Sequence, residues 1–117
     1  MLSRKNRLIK KEDFSSIYRG GKFFAHSNIS AKIKKNGLDQ TRLGISIGLK
    51  FSKKAVERNR IKRQIREAFQ KRIGVIEKGW DVVFMAKKAE KNDLKNKSES
   101  VEKSLEILLL KAGLLKK

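Results

Sequence analysis

"ERNRIKRQIREAF", residues 57–69, decides how this chain is to be read. At about 100° per residue, Ile61, Ile65, Ala68 and Phe69 fall within about a quarter turn of one another, an apolar stripe along one helix face. Asn59, Arg60 and Arg63 fall on the opposite side with Lys53, and Lys62 and Arg66 lie on the flank. Arg58 projects near the stripe, beyond its N-terminal end. Its methylenes are expected to run along the core edge, with the guanidinium at the rim. The helix is predicted from about Lys53 to Arg72, with Ser52 as N-cap and Gly74 as the C′ residue. From Lys50 to Arg72, ten cationic side chains face two acidic ones, Glu57 and Glu67. Charge at this density repels itself, so the helix requires an anionic partner.

The composition extends that requirement to the whole chain. Its 117 residues suit one domain, 1–117, in which residues 1–9 read as a basic N-terminal arm. Lys and Arg number 31 against 12 Asp and Glu, a net charge of +19. Nucleic acid fits best, because its phosphates release counterions when Lys and Arg replace them. An anionic membrane fits less well, because the basic residues are spread along the chain rather than gathered on one amphipathic helix. No apolar run approaches the ~20 residues needed to cross a bilayer. With no Cys and no signal peptide in the sequence, the expected setting is cytoplasmic.

Before the basic helix, "RLGISIGLK" (42–50) reads as a strand. Leu43, Ile45 and Ile47 share one face; Gly44, Ser46 and Gly48 leave the other almost bare. That bare face either lets a ligand approach or takes a closely packed helix. Asn28–Lys34 alternates in the same way, with Ile29, Ala31 and Ile33 inward and Ser30 and Lys32 outward. Asn36-Gly37 between the two strands is a hairpin signal. Further upstream, Phe14, Ile17 and Tyr18 mark a short helix closed by Gly20 and Gly21, with Glu12 and Asp13 in its first turn. After the basic helix, "WDVVFMAKK" (80–88) is apolar on both faces, as a central strand is. A last helix is predicted from about Ser98 to Ala112, with Val101, Leu105, Leu108 and Ala112 as its stripe and Gly113 past its end. The order is α-β-β-α-β-α, an α+β sandwich of helices on a small sheet.

Catalytic chemistry of the chain's own is not expected. His26 is the single histidine, and it reads as a partly exposed sheet residue. Glu12-Asp13, the one adjacent acidic pair, is explained by the helix start, so neither catalytic nor metal-ligating residues are assigned. Phe14 and Tyr18 belong either to the core or to the walls of a groove floored by Ser30 and Lys32 on one strand and Ser46 and Gly48 on the next, a platform on which single-stranded bases stack.

These segments together resemble the bacterial ribonuclease P protein subunit. "ERNRIKRQIREAF" is similar to the signature of that family, an Arg-Asn-Arg core opening a basic helix. "NRLIKKEDFSSIYRGGK" resembles its arm and first helix, "RLGISIGLK" and "WDVVFMAKK" its flanking strands, and "LEILLLKAGLL" its last helix. The resemblance implies the protein subunit of a ribonucleoprotein endonuclease that removes the 5′ leader of precursor tRNA, with the RNA subunit doing the cutting. It implies a left-handed βαβ crossover, against the usual right-handed rule. Lys50, Lys53, Lys54, Arg58, Asn59, Arg60, Lys62, Arg63 and Arg66 would dock on the catalytic RNA. Phe14, Tyr18, Ser30, Lys32 and Ser46 would meet the leader. Mg2+ would be held mainly by RNA, and neither a membrane nor an obligate protein partner is expected. Lys32 departs from the family pattern, which has an aromatic or bulky apolar residue at about that position. The alternatives are a ribosomal or other structural RNA-binding protein with no enzyme attached, and a DNA-binding regulator using the basic helix.

Overall fold

The computed structural model describes residues 6–8, 10–88 and 101–115. Its elements run α1 (Lys11–Gly20), β1 (Lys22–His26), β2 (Ile29–Lys35), β3 (Arg42–Ser46), α2 (Ala55–Arg72), β4 (Trp80–Ala86) and α3 (Val101–Lys111). The architecture is the expected α+β sandwich, with one more strand than the sequence pattern implies. Lys22–His26 folds back on β2 through Ser27 and Asn28, Ser27 taking a positive φ of 58°. "KFFAH" does not alternate in polarity, so its strand character comes from pairing rather than from pattern.

The sheet order is β1-β2-β4-β3. The hairpin expected at Asn36-Gly37 is therefore absent: β4 inserts between β2 and β3. It pairs antiparallel with β2 and parallel with β3, and α2 makes the crossover between the parallel strands. Asn36-Gly37 instead starts a wider connection. Asn36 donates from Nδ2 to the Gln40 carbonyl at 3.1 Å and to Asp81 at 2.9 Å, while its Oδ1 accepts from Leu38 N–H. The central position of β4 matches its polarity, since Asp81 through Phe84 are all buried.

The sheet is covered on both faces. On one, Ile33, Val82, Leu43, Ala31 and Phe84 pack against Ile61, Ile65, Ala68 and Phe69 of α2 and Leu105, Leu108 and Leu109 of α3. Phe69 meets Phe84 edge-on, with centroids 6.3 Å apart. Each fully buried side chain of this kind contributes ~1.5–3 kcal/mol. On the other face, Ile17 of α1, Leu8 and Val83 form a smaller core, with Phe14 and Met85 against it. Leu8 comes from the N-terminal arm: its N–H bonds the Leu43 carbonyl at 2.8 Å, and Asn6 bonds the Thr41 carbonyl. Residues 6–8 are thus fastened to β3; the rest of the arm lies outside the described residues.

The helix ends differ from expectation in two places. Lys54 occupies the N-cap of α2 without a side-chain cap bond. Ser52 lies two residues earlier, where its Oγ accepts from Lys54 N–H and donates to Glu57. Gly74 sits inside a 3-10 turn, Ile73–Val75, that continues the helix, so it does not cap it. Gly21 ends α1 in an extended conformation (φ −79°, ψ 153°). Glycine is needed there because a Cβ would stand 2.6 Å from the Ile17 carbonyl oxygen. Gly113 does act as expected. Its φ of 73°, with Leu114 N–H on the Leu109 carbonyl and Gly113 N–H on that of Leu110, closes α3 in a Schellman motif. The start predicted for this helix, Ser98, lies outside the described residues.

Candidate nucleic-acid interface

Burial of Ile61, Ile65, Ala68 and Phe69 fixes the rotation of α2, and with it which side chains reach solvent. Asn59, Arg60, Arg63 and Arg66 are exposed, and Lys62 is half-buried on the flank. Lys50, Lys53 and Lys54, on the approach to the helix, are exposed too. Among the described residues no acidic side chain pairs with Arg60, Arg63 or Arg66, so their charge is offered outward. Arg58 differs. It is half-buried and donates from Nη1 to the Ser52 carbonyl at 2.9 Å, fastening the 49–54 approach loop to α2 rather than standing free at the rim. A groove of about 730 Å³ opens beside it, rimmed by Lys50, Lys53, Arg60 and Lys88.

Arg72, at the far end of α2, is used internally. It donates to Glu102 at 2.9 Å and Glu106 at 3.1 Å on α3. Its burial opposes the charge, but the two carboxylates prevail and hold its pKa above the ordinary value; Arg72 in turn holds the Glu102 carboxyl below its own.

The second set of candidates lies on the opposite sheet face. Strand register places side chains there in rows, since directly paired residues point the same way. One row is Phe23, Lys32, Val83 and Gly44; the next is Ala25, Ser30, Met85 and Ser46. Helix α1 lies across the first row over β2 and β4, and its Phe14 ring reaches β3. A Cβ at position 44 would come within 2.7 Å of the Phe14 ring, so the bare backbone of β3 receives α1 at that point. At Gly48 nothing lies within 4 Å. The closely packed helix is thus found at Gly44, while Gly48, just past the end of β3, borders open space. The second row is left as a shallow floor beside α1, with Ser46 exposed and Ser30 half-buried.

Phe14 and Tyr18 wall that floor unequally. Phe14 is half-buried against Leu8, Gly44 and the small core, whereas Tyr18 is exposed, 6.5 Å from Phe14 between ring centroids. Lys32 reaches under Tyr18, donating to its backbone carbonyl at 2.8 Å with the ammonium 6.0 Å from the ring centroid. A cation is favourable at that point, the C-terminal end of α1. Lys34 similarly holds Ser16 at 2.7 Å.

Beneath α1, Arg42 binds both oxygens of Asp81, Nε–Oδ1 at 2.8 Å and Nη2–Oδ2 at 2.7 Å, and reaches Asp13 at 3.3 Å. The hydrogen bonds to Asp81 raise the Arg42 pKa; burial works against them, and the charges of Asp81 and Asp13 add to them. Sequence reasoning missed this link. The signal was Asp81 opening an otherwise apolar strand, where only a paired carboxylate is tolerated. With Asp13 and Asp81 engaged by Arg42, the described residues contain no group of three or more His, Asp or Glu able to hold a metal. No helix among them is long and apolar enough to cross a membrane.

A basic helix with its arginines outward, crossing between two parallel strands on the sheet face opposite a shallow cleft, can be compared with known proteins. The ribonuclease P family profile matches residues 2–113. The chain belongs to the ribonuclease P protein family. It is 43% identical over 86 residues to the ribonuclease P protein component of Thermotoga petrophila, covering 74% of this chain and 73% of that one. With the Clostridium botulinum component it shares 35% identity over 112 residues, 95% and 97% of the two chains. The Staphylococcus aureus RNase P protein superposes with a TM-score of 0.79 at 32% identity, covering 95% of this chain and 98% of its own. The last two likenesses run nearly the length of the chain, and a ribosomal or other structural RNA-binding role is not favoured.

Proposed function

We propose that the chain is the protein subunit of ribonuclease P and assists removal of the 5′ leader from precursor tRNA. In this reading α2 docks on the catalytic RNA through Arg60, Arg63, Arg66, Asn59 and Lys62, with Lys50, Lys53 and Lys54 extending the contact. Arg58 shapes the approach loop from within. The cleft beside α1 takes the single-stranded leader, with Tyr18 and the edge of Phe14 as stacking surfaces, Ser30 and Ser46 as polar floor, and Lys32 as a fixed charge. Cleavage belongs to the RNA, with Mg2+ held mainly by its phosphates; the described protein residues supply no donor set for it. The setting is the cytoplasm, and no obligate protein partner is required.

The observation that carries the reading is the division of α2. Its apolar stripe is buried to 5% exposure or less, while its arginines at 60, 63 and 66 face solvent without acidic partners among the described residues. Such charge is stabilised by phosphate, which Arg meets in bidentate geometry. The test is Arg60→Ala with Arg63→Ala. The fold should survive, and binding to the RNA subunit should weaken. Its log–log salt dependence should become shallower by roughly 0.7–0.9 for each lost phosphate contact. An unchanged slope would remove this helix from the RNA face.

A further inference from the structure

We propose that Phe23, on the edge strand β1, is an additional base-stacking residue that carries the leader path past α1 to the sheet edge. The proposal rests on the reading of the cleft as the leader site and extends it by one strand. Phe23 is 59% exposed, more than any other phenylalanine or tyrosine among the described residues. It is directly opposite Lys32 in the β1–β2 register, so its ring is on the cleft face. Helix α1 does not cover it, because α1 packs across β2 and β4. A single exposed ring is ordinary on a protein surface; what marks Phe23 is its alignment with Lys32 and Tyr18 on the cleft face.

The surroundings fit a single-stranded nucleic acid. Across the sheet the row reads Phe23, then Lys32 beneath Tyr18, then Val83, then Gly44 beneath Phe14. Aromatic surfaces thus recur from β1 to β3 with a fixed ammonium between the first two. Adjacent strands are ~4.8 Å apart, so the row spans roughly 14 Å. Arg19, exposed in the last turn of α1, adds positive charge near the start of β1. Aromatic faces spaced by cations are how proteins hold single strands without reading their sequence. Lys32 cannot itself stack, and the ring beside it on β1 supplies the surface that a lysine there lacks.

Phe23→Ala, Phe23→Trp and Tyr18→Ala would each be assembled with the RNA subunit, and dissociation constants measured for precursor tRNA and for mature tRNA. Phe23→Ala should weaken precursor binding roughly 5- to 150-fold and leave mature tRNA unaffected. Phe23→Trp should retain precursor affinity. Melting of the free protein should not change, because the ring is in solvent. If Tyr18→Ala impairs precursor binding and Phe23→Ala does not, the cleft stands and the proposal for Phe23 is overturned. If neither variant distinguishes precursor from mature tRNA, the leader cleft itself fails, and Phe23 with it. Equal losses for both RNAs in Phe23→Ala would also overturn the proposal, since that pattern marks a general weakening.

Discussion

Phe14 of α1 rests on Gly44 of β3 so closely that the missing Cβ would stand 2.7 Å from its ring. The position of α1 over the sheet, and hence the width of the cleft, therefore depends on a residue that has no side chain. Gly44→Ala should push the ring outward and destabilise the fold by ~1–3 kcal/mol, the usual cost of overpacking. Gly48→Ala, just past the end of β3 with nothing within 4 Å, should be close to neutral. Denaturant unfolding of the two variants side by side checks this; equal effects would mean that α1 is not seated on Gly44.

The two cleft aromatics should separate by stability. Phe14→Ala removes a half-buried ring and should cost less than the ~3–5 kcal/mol of a fully buried one. Tyr18→Ala, at an exposed site, should change stability by no more than ~0.5 kcal/mol. Both should weaken precursor tRNA binding in the assembled holoenzyme and spare mature tRNA. A large thermal shift in Tyr18→Ala would place that ring in the core.

Asp81 should matter more than its single position suggests. Removing it leaves the Arg42 guanidinium without its principal partner under α1, a loss of ~3–5 kcal/mol for a buried pair. Asp81→Ala is expected near the lower end, because the Arg42 side chain is still 21% exposed and Asp13 remains within reach. The double variant with Arg42→Leu should recover part of the loss. Chemical denaturation of the single and double variants reads this coupling directly.

Much of this architecture is legible because burial writes itself into sequence periodicity. The stripe of α2 and the apolar character of "VVFM" (82–85) on both faces suffice to locate the basic face and the central strand. Strand order is not legible. Asn36-Gly37 has hairpin composition, yet nothing local reveals that β4, some forty residues downstream, inserts between β2 and β3. β1 escapes the pattern because an edge strand with only half-buried or exposed residues has no alternation to read. At the candidate site, outward arginines follow from helix geometry. The capture of Arg58 by the Ser52 carbonyl does not, because it depends on how the approach loop turns back. The unequal exposure of Phe14 and Tyr18, four residues apart on one helix, depends on where Gly44 lies.

The Arg72–Glu102 pair should give a small acid-dependent contribution. Arg72 holds the Glu102 carboxyl below its ordinary 4.5. A depressed carboxyl stabilises the fold above the unfolded value, and that stability is lost as pH falls through the lower, folded value. The melting difference between wild type and Glu102→Gln should therefore be fully present at neutral pH and close progressively below about pH 4.5. A difference independent of pH would mean that the ion pair does not contribute through charge.

The most direct test of the central claim, that this chain serves catalysis by binding RNA, is reconstitution. The protein, the RNA subunit and a precursor tRNA are combined across a magnesium titration, and 5′-leader release is measured with each component omitted in turn. The account predicts no cleavage by the protein alone. It also predicts that adding the protein to the RNA subunit lowers the magnesium required, because the cationic face of α2 offsets repulsion between phosphates. Efficient cleavage by the RNA-free protein, or a magnesium requirement unchanged by its addition, would contradict it.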